Sequence, residues 1–272
     1  MKKNVCVITG GGSGMGLAAA KCMPKDKIIV VTGRTMSKLE KAVKELEALG
    51  YEAYAKTCDT SKREQVRELA EFAASLGEIK NVINSAGLSP AMAKPEQLIR
   101  VNALGTVYVN EEFSKLMHKG SVIVDISSNS AYILPGIVVN KKTFALADKD
   151  EDLFIKKILS LPNKLKGYQA SGLAYGLSKN FVIWYAAKCA YEYGPKGIRV
   201  CSLSPGLIAT DMGNLESEEG GDLLKTTAEK RMGKPEELGF AIASVADERN
   251  GYLAGVDILV DGGSVNGKKF IK

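Results

Sequence analysis

The chain has 272 residues, 45% of them apolar and 25% charged, with a formal net charge of +6. That is the composition of an ordinary soluble globular protein, with room for one large domain over 1–272 and no repeat or low-complexity tract to divide it. It argues against a membrane protein, since no run approaches the roughly 20 apolar residues of a span, and against a nucleic-acid partner, since the basic residues are spread among acids on helical faces.

Five cysteines (6, 22, 58, 189 and 201) are dispersed without a CxxC pair or a metal spacing. Such a set implies reduced thiols and a cytoplasmic setting. The only histidine is His118, at the expected C-terminal end of a helix, where a basic residue is favoured by the dipole. A Ser-His-Asp triad or a histidine metal site would have to use it, so neither is expected, and no metal is assigned.

The N-terminus has a signal-like positive start, but its apolar run is short, and Asn4 to Thr9 reads as a buried strand. It runs into Gly10-Gly11-Gly12-Ser13-Gly14-Met15-Gly16, and a helix pattern with Leu17, Ala18 and Ala20 follows. Strand, glycine turn and helix together predict dinucleotide binding, because side-chain-free backbone can approach a pyrophosphate at a helix N-terminus. A second strand, Lys27 to Thr32, ends at Gly33-Arg34-Thr35. An acid there would accept from a ribose 2′-hydroxyl. Glycine followed by Arg34 suits a 2′-phosphate instead, with Thr35 and Lys38 as helpers, so the expected cofactor is NADP(H).

Ser37/Glu40 and Ser61/Glu64 have the spacing of capping boxes before two amphipathic helices. A third strand over 51–57 separates those helices, and Asp59-Thr60 follows it. Strands alternating with such helices imply an α/β fold with a doubly wound parallel sheet. Ile79 to Asn84 reads as a fourth strand ending in Ser85-Ala86-Gly87, and Ser121 to Ile126 as a fifth, followed by Ser127-Ser128. Tyr175 and Lys179 stand four apart on a helix-patterned run, one above the other on the same face. A phenol beside an ammonium ionises more easily and can exchange protons near neutral pH. The strand Ile198 to Leu203 leads to Ser204-Pro205-Gly206. Residues 212–227 read as a substrate loop, and Val256 to Val260 as the last strand, before Asp261-Gly262-Gly263.

Thr9-Gly10-x-x-x-Gly14-x-Gly16, Asn84-Ser85-Ala86-Gly87, Asn102, Ser128, Tyr175-x-x-x-Lys179 and Pro205-Gly206 occur in the order seen in the short-chain dehydrogenase/reductase family, which the chain resembles over about 4–263. The resemblance implies a Rossmann fold and hydride transfer between a secondary alcohol or ketone and NADP(H). It implies that Tyr175 exchanges the proton, that Lys179 lowers its pKa and holds the nicotinamide ribose, that Ser128 orients the substrate oxygen, and that Asn102 carries a water relay. Cofactor contacts are implied for Gly10, Ser13, Gly14, Met15, Gly16, Asp59, Thr60, Asn84, Ala86, Gly87, Pro205, Gly206, Ile208 and Thr210.

Two departures stand out: a short segment between Gly87 and Asn102, and an insert over 131–169, with a helical part, before the tyrosine. Together they resemble bacterial hydroxysteroid dehydrogenase/carbonyl reductases. A bulky apolar substrate is expected, a hydroxysteroid and possibly a bile acid, in a cleft built from Met92, Tyr132, Ile133, Leu134, Met212 and Leu215, with the insert governing substrate choice. The alternatives are a general carbonyl reductase, a β-ketoacyl carrier-protein reductase, and a catalytically silent NADP(H)-binding regulatory protein. The resemblance also implies a homo-oligomer, dimer or tetramer, in which the insert alters the contact made by the helices around Asn102 and Tyr175.

Overall fold

Seven short runs bounded by turn residues become strands, the central ones rich in Val and Ile and the edge strand β3 more polar. They are β1 (Asn4–Thr9), β2 (Ile28–Gly33), β3 (Glu52–Thr57), β4 (Glu78–Asn84), β5 (Val122–Ile126), β6 (Arg199–Pro205) and β7 (Asp257–Val260). All pair in parallel, in the order β3-β2-β1-β4-β5-β6-β7. The computed structural model describes residues 3–210, 212–213 and 227–270.

Side chains alternate across the pleat, so β1 feeds two cores. Val5 and Val7 face one layer, with helices α3 (Arg63–Leu76), α4 (95–114) and α7 (Gly167–Tyr193). Cys6 and Ile8 face the other, with α1 (Gly14–Cys22), α2 (Met36–Ala48) and α8 (Pro235–Val245). Helix α4 starts at Pro95–Leu98, widens to a π-helix over Ile99–Leu104, and returns to α-helix over Gly105–Ser114. Strand order reverses between β1 and β4, and in such sheets the crevice beyond the strands' carboxyl ends is where ligands bind.

Some local expectations are corrected. Helix α2 begins after Thr35 and α3 after Lys62, neither with a side-chain cap, so the two capping-box spacings do not cap. Asp59 takes Ser61 instead, accepting from its backbone N–H at 3.0 Å and its hydroxyl at 2.7 Å. His118 is exposed and lies beyond α4, which ends at Ser114. Among the described residues no helix is long and apolar enough to cross a membrane.

The insert contains the short helices α5 (Lys141–Phe144) and α6 (Glu151–Ile158), and both lie on the α4–α7 face. Phe144 and Phe154 meet Phe181 of α7 at 5.4 and 5.2 Å between centroids. Asp148 accepts from Lys188 at 2.8 Å, and Glu151 accepts from the Tyr108 hydroxyl at 2.6 Å. Asp148 and Glu151 of the acidic turn thus pair on this face, while Asp150 and Asp152 stay exposed.

Candidate active site

A cleft of about 470 Å³ opens at the switch point, along the carboxyl ends of the strands. Its floor at one end is the turn after β1. Gly10 has φ +66°, and a Cβ there would lie 3.0 Å from the backbone of Ser85 and Ala86. Gly14 has φ +55°, and a Cβ on Gly16 would fall 2.5 Å from the Gly10 carbonyl oxygen. The turn is therefore drawn tight between β4 and α1, and Ser13, Gly14, Met15 and Gly16 line the cleft at the α1 N-terminus. Unpaired helix N–H groups there favour a phosphate.

Arg34, exposed just beyond β2, lines the same end. Thr35 and Lys38 are exposed but are not part of the cleft lining; Lys38 leans on the glycine turn, its Cβ 3.5 Å from where a Gly12 Cβ would stand. Asp59 and Thr60 line the wall after β3, next to Cys58, whose thiol is pushed up to about 12 by burial. Ala86 and Gly87 line the middle, and Pro205, Gly206, Ile208 and Thr210 line the opposite wall.

Asn84, like Thr35 and Lys38, is an expected cofactor contact that does not line the cleft. It is buried behind the wall, accepting from the Thr9 hydroxyl at 2.9 Å and donating to Thr106 and Asp125 at 3.1 and 3.0 Å. It supports the turn rather than facing the cleft.

At the other end stand Ser128, Tyr175 and Lys179, all lining the cleft. Tyr175 is half-buried, with the Lys179 ammonium 5.8 Å from its ring centroid. Lys179 Nζ donates to the Ile126 carbonyl at 2.9 Å, and the Ser127 hydroxyl donates to the Lys179 carbonyl at 2.7 Å. The lysine is thus held against β5 at both ends. Ser128 caps the short turn after β5, its Oγ accepting from the Ser130 N–H at 3.2 Å.

Asn102 does not line the cleft. It is 1% exposed, in the π-helical stretch, where its amide grips the chain after β4: Oδ1 accepts from Leu88 N–H at 2.8 Å and Nδ2 donates to Leu88 O at 3.0 Å. This accounts for an asparagine at a mid-helix position that its propensity disfavours. Its Oδ1 still approaches the site, because a Cβ on Gly87 would lie 3.3 Å from it and 3.4 Å from Lys179 Nζ.

The expected substrate cleft is largely not assembled. Of its five described residues, Met212 lines the cavity and Met92, Tyr132, Ile133 and Leu134 do not. Tyr132 is turned away, its hydroxyl donating to Asp257 at 2.5 Å, and Leu134 packs where a Gly176 Cβ would go. Leu215 lies outside the described residues, as does the loop expected at 212–227 apart from 212–213 and 227. No insert residue lines the cavity: Phe144, Phe154, Ile155 and Ile158 pack on the α4–α7 face, while Ile133, Ile137 and Tyr168 are exposed. Leu88, Val101 and Met212 supply apolar lining instead. Leu88 and Val101 gave no signal in the sequence, since each reads as ordinary core.

A family model described as short chain dehydrogenase matches residues 4–139, and one described as Enoyl-(Acyl carrier protein) reductase matches 159–265. The chain is 30% identical to the short-chain dehydrogenase/reductase bsc3 of Alternaria brassicicola, covering 97% of each chain. It resembles the solved short-chain dehydrogenase/reductase of Serratia marcescens with a TM-score of 0.77 at 21% identity, over 97% of this chain and 98% of that one. A short chain dehydrogenase of Burkholderia cenocepacia, solved in complex with NADP, gives a TM-score of 0.76 at 22% identity, over 97% of each.

Proposed function

The chain belongs to the short-chain dehydrogenase/reductase family of oxidoreductases, and from that premise we propose that it interconverts a secondary alcohol and a ketone using NADP(H). The observation that carries this reading is the placement of Ser128, Tyr175 and Lys179 at one end of a cleft whose other end is a tight glycine turn with Arg34 beside it. The cleft fits a dinucleotide: the turn is a cradle that a Cβ at Gly10 or Gly16 would fill.

NADP(H), when bound, supplies or accepts the hydride. Gly14, Met15 and Gly16 offer backbone N–H groups to its pyrophosphate. Arg34 would hold its 2′-phosphate through a charge-assisted contact. Ser128 Oγ orients the substrate oxygen. Tyr175 Oη takes the alcohol proton during oxidation and returns it to the ketone oxygen during reduction, with the Lys179 ammonium favouring the phenolate form. Asn102 fixes Leu88 and presents Oδ1 toward Lys179 across Gly87, the space we assign to the relay water.

Gly87→Ala places a methyl in that space, so kcat is expected to fall about tenfold while the melting temperature changes little. Steady-state kinetics alongside a thermal melt checks this, and unchanged kcat removes the relay from that position. Arg34→Ala is expected to raise KM for NADPH about tenfold or more and leave KM for NADH nearly unchanged, since only the phosphate contact is lost. Equal effects on both would assign NAD(H) instead.

The apolar lining by Leu88, Val101 and Met212 suits a bulky apolar alcohol, and a hydroxysteroid, bile acids included, is the substrate class we assign. The deciding experiment is NADP+ reduction with a panel of steroid and smaller secondary alcohols. Turnover confined to small alcohols or 3-oxoacyl thioesters would replace the steroid with those, and cofactor binding without turnover on any would mark a silent regulator. Because the insert covers the α4–α7 face, the homo-oligomer we expect assembles through other surfaces.

A further inference from the structure

Behind the catalytic pair lies a charged group that the reaction as described does not use. Asp125 is fully buried on β5, with Lys179 fastened to the two residues that follow it. Its carboxylate accepts from Asn84 Nδ2 at 3.0 Å, and from Asn110 Nδ2 at 3.0 Å on each oxygen. The network continues in both directions. Asn84 donates to Thr106 Oγ1, which donates to the Asn102 carbonyl at 2.9 Å. Asn84 also accepts from Thr9 Oγ1, which accepts from the Ala86 N–H at 3.0 Å. One carboxylate therefore joins the end of β1, the wall after β4 and the turn carrying Asn102.

Fully desolvated carboxylates are costly, and a neutral side chain could have joined the same amides. Around Asp125, Asn84, Thr106 and Asn110 are neutral. The Cys189 and Cys201 thiols are held protonated, their pKa values raised chiefly by burial. Among the described residues the charged group acting on Asp125 is Lys179. The Asp125 carboxyl stands at about 7, burial raising it by more than Asn84, Asn110 and Lys179 together lower it.

We propose that Asp125, which does not line the cleft, is a positioning residue that holds the network to Asn102 and, through a charge one residue before the carbonyl that anchors Lys179 Nζ, sets the pH at which Tyr175 ionises. This rests on the reading of Tyr175 as the proton-exchanging group. The lysine's positive charge favours the phenolate, and a negative charge next to the lysine partly cancels that effect. Removing the negative charge must therefore make the phenolate easier to form.

Asp125→Asn removes the charge and keeps the shape. The new amide can donate to Asn110 Oδ1, which has no partner at present, once the Asn110 amide turns over. The readout is ultraviolet tyrosinate absorbance against pH, with the Tyr175 signal taken as the part that Tyr175→Phe removes. In Asp125→Asn the Tyr175 midpoint is expected to move down by about half a pH unit or more. Asn110→Ala, which keeps the carboxylate but strips a donor from it, raises its proton affinity and so moves the midpoint the same way by less. It answers the question if the first variant fails to fold. A midpoint unchanged in folded variants, or moved upward, overturns the proposal. No turnover is read, so a loss of the alcohol–ketone reading would show itself separately, in the rate of Tyr175→Phe.

Discussion

Tyr175→Phe is expected to lower kcat by about a thousandfold or more, roughly 4 kcal/mol of barrier, while the affinity for NADPH changes by less than about threefold. The substitution deletes one oxygen and leaves the ring, which is half-buried on α7 with the Lys179 ammonium near its face. Packing and the cation–π contact survive. Lys179 keeps its anchor on the Ile126 carbonyl, so that end of the cleft is undisturbed. What disappears is the group we assign to carrying the proton to and from the substrate oxygen. Ser128 cannot replace it, because a serine hydroxyl can orient that oxygen but is a poor acid and base near neutral pH. Fluorescence titration with NADPH and steady-state rates on the same preparation separate the two effects. A variant that binds the cofactor and retains a tenth of the rate would remove Tyr175 from the chemistry.

The parts of this site that sequence shows are those encoded locally. Each strand was legible to within two residues of its ends, because a buried parallel strand is a short apolar run between turn residues. The glycine turn was legible because strand and helix signals flank it, and Tyr175 with Lys179 because four residues on one helix face need no tertiary information. What escaped depends on where distant residues meet. Asn84, Thr106, Asn110 and Asp125 come together only because β4 and β5 pair side by side with α4 packed on them. The insert misled for a related reason. Its aromatic and aliphatic residues suit a ligand pocket and a helix interface equally well, and only the packing of Phe144 and Phe154 on Phe181 decides between them. The two capping-box spacings matched a local rule, yet α2 and α3 start at other residues.

Gly16→Ala should be the most damaging single methyl in the cofactor end, lowering NADPH affinity by about a hundredfold or more and costing about 1–3 kcal/mol of stability. Its Cβ would sit 2.5 Å from the Gly10 carbonyl oxygen and 2.9 Å from the carbonyl carbon, both backbone atoms that no side-chain rotation can move. Gly10 cannot retreat, since it already abuts Ser85 and Ala86, and the Gly11 N–H is bonded to the Thr32 carbonyl at 3.2 Å. Helix α1 cannot retreat either, because α8 closes on its far side, with Gly239 so near Ala18 that a Cβ there would lie 2.5 Å from its backbone. The strain must therefore open the turn, and the N–H groups at the head of α1 lose their aim at the pyrophosphate. Gly12→Ala is the control. Gly12 is not among the glycines with positive φ, and its Cβ would meet one tight neighbour, the flexible Leu39 Cδ2 at 3.2 Å, with Lys38 Cβ at 3.5 Å and Leu39 N at 3.7 Å in ordinary contact. That variant should bind NADPH within about threefold of the parent, because flexible side chains relieve a tight contact at little cost. If the two variants bound equally well, the turn after β1 would not be the phosphate cradle, and the cofactor end of the cleft would have to be assigned elsewhere.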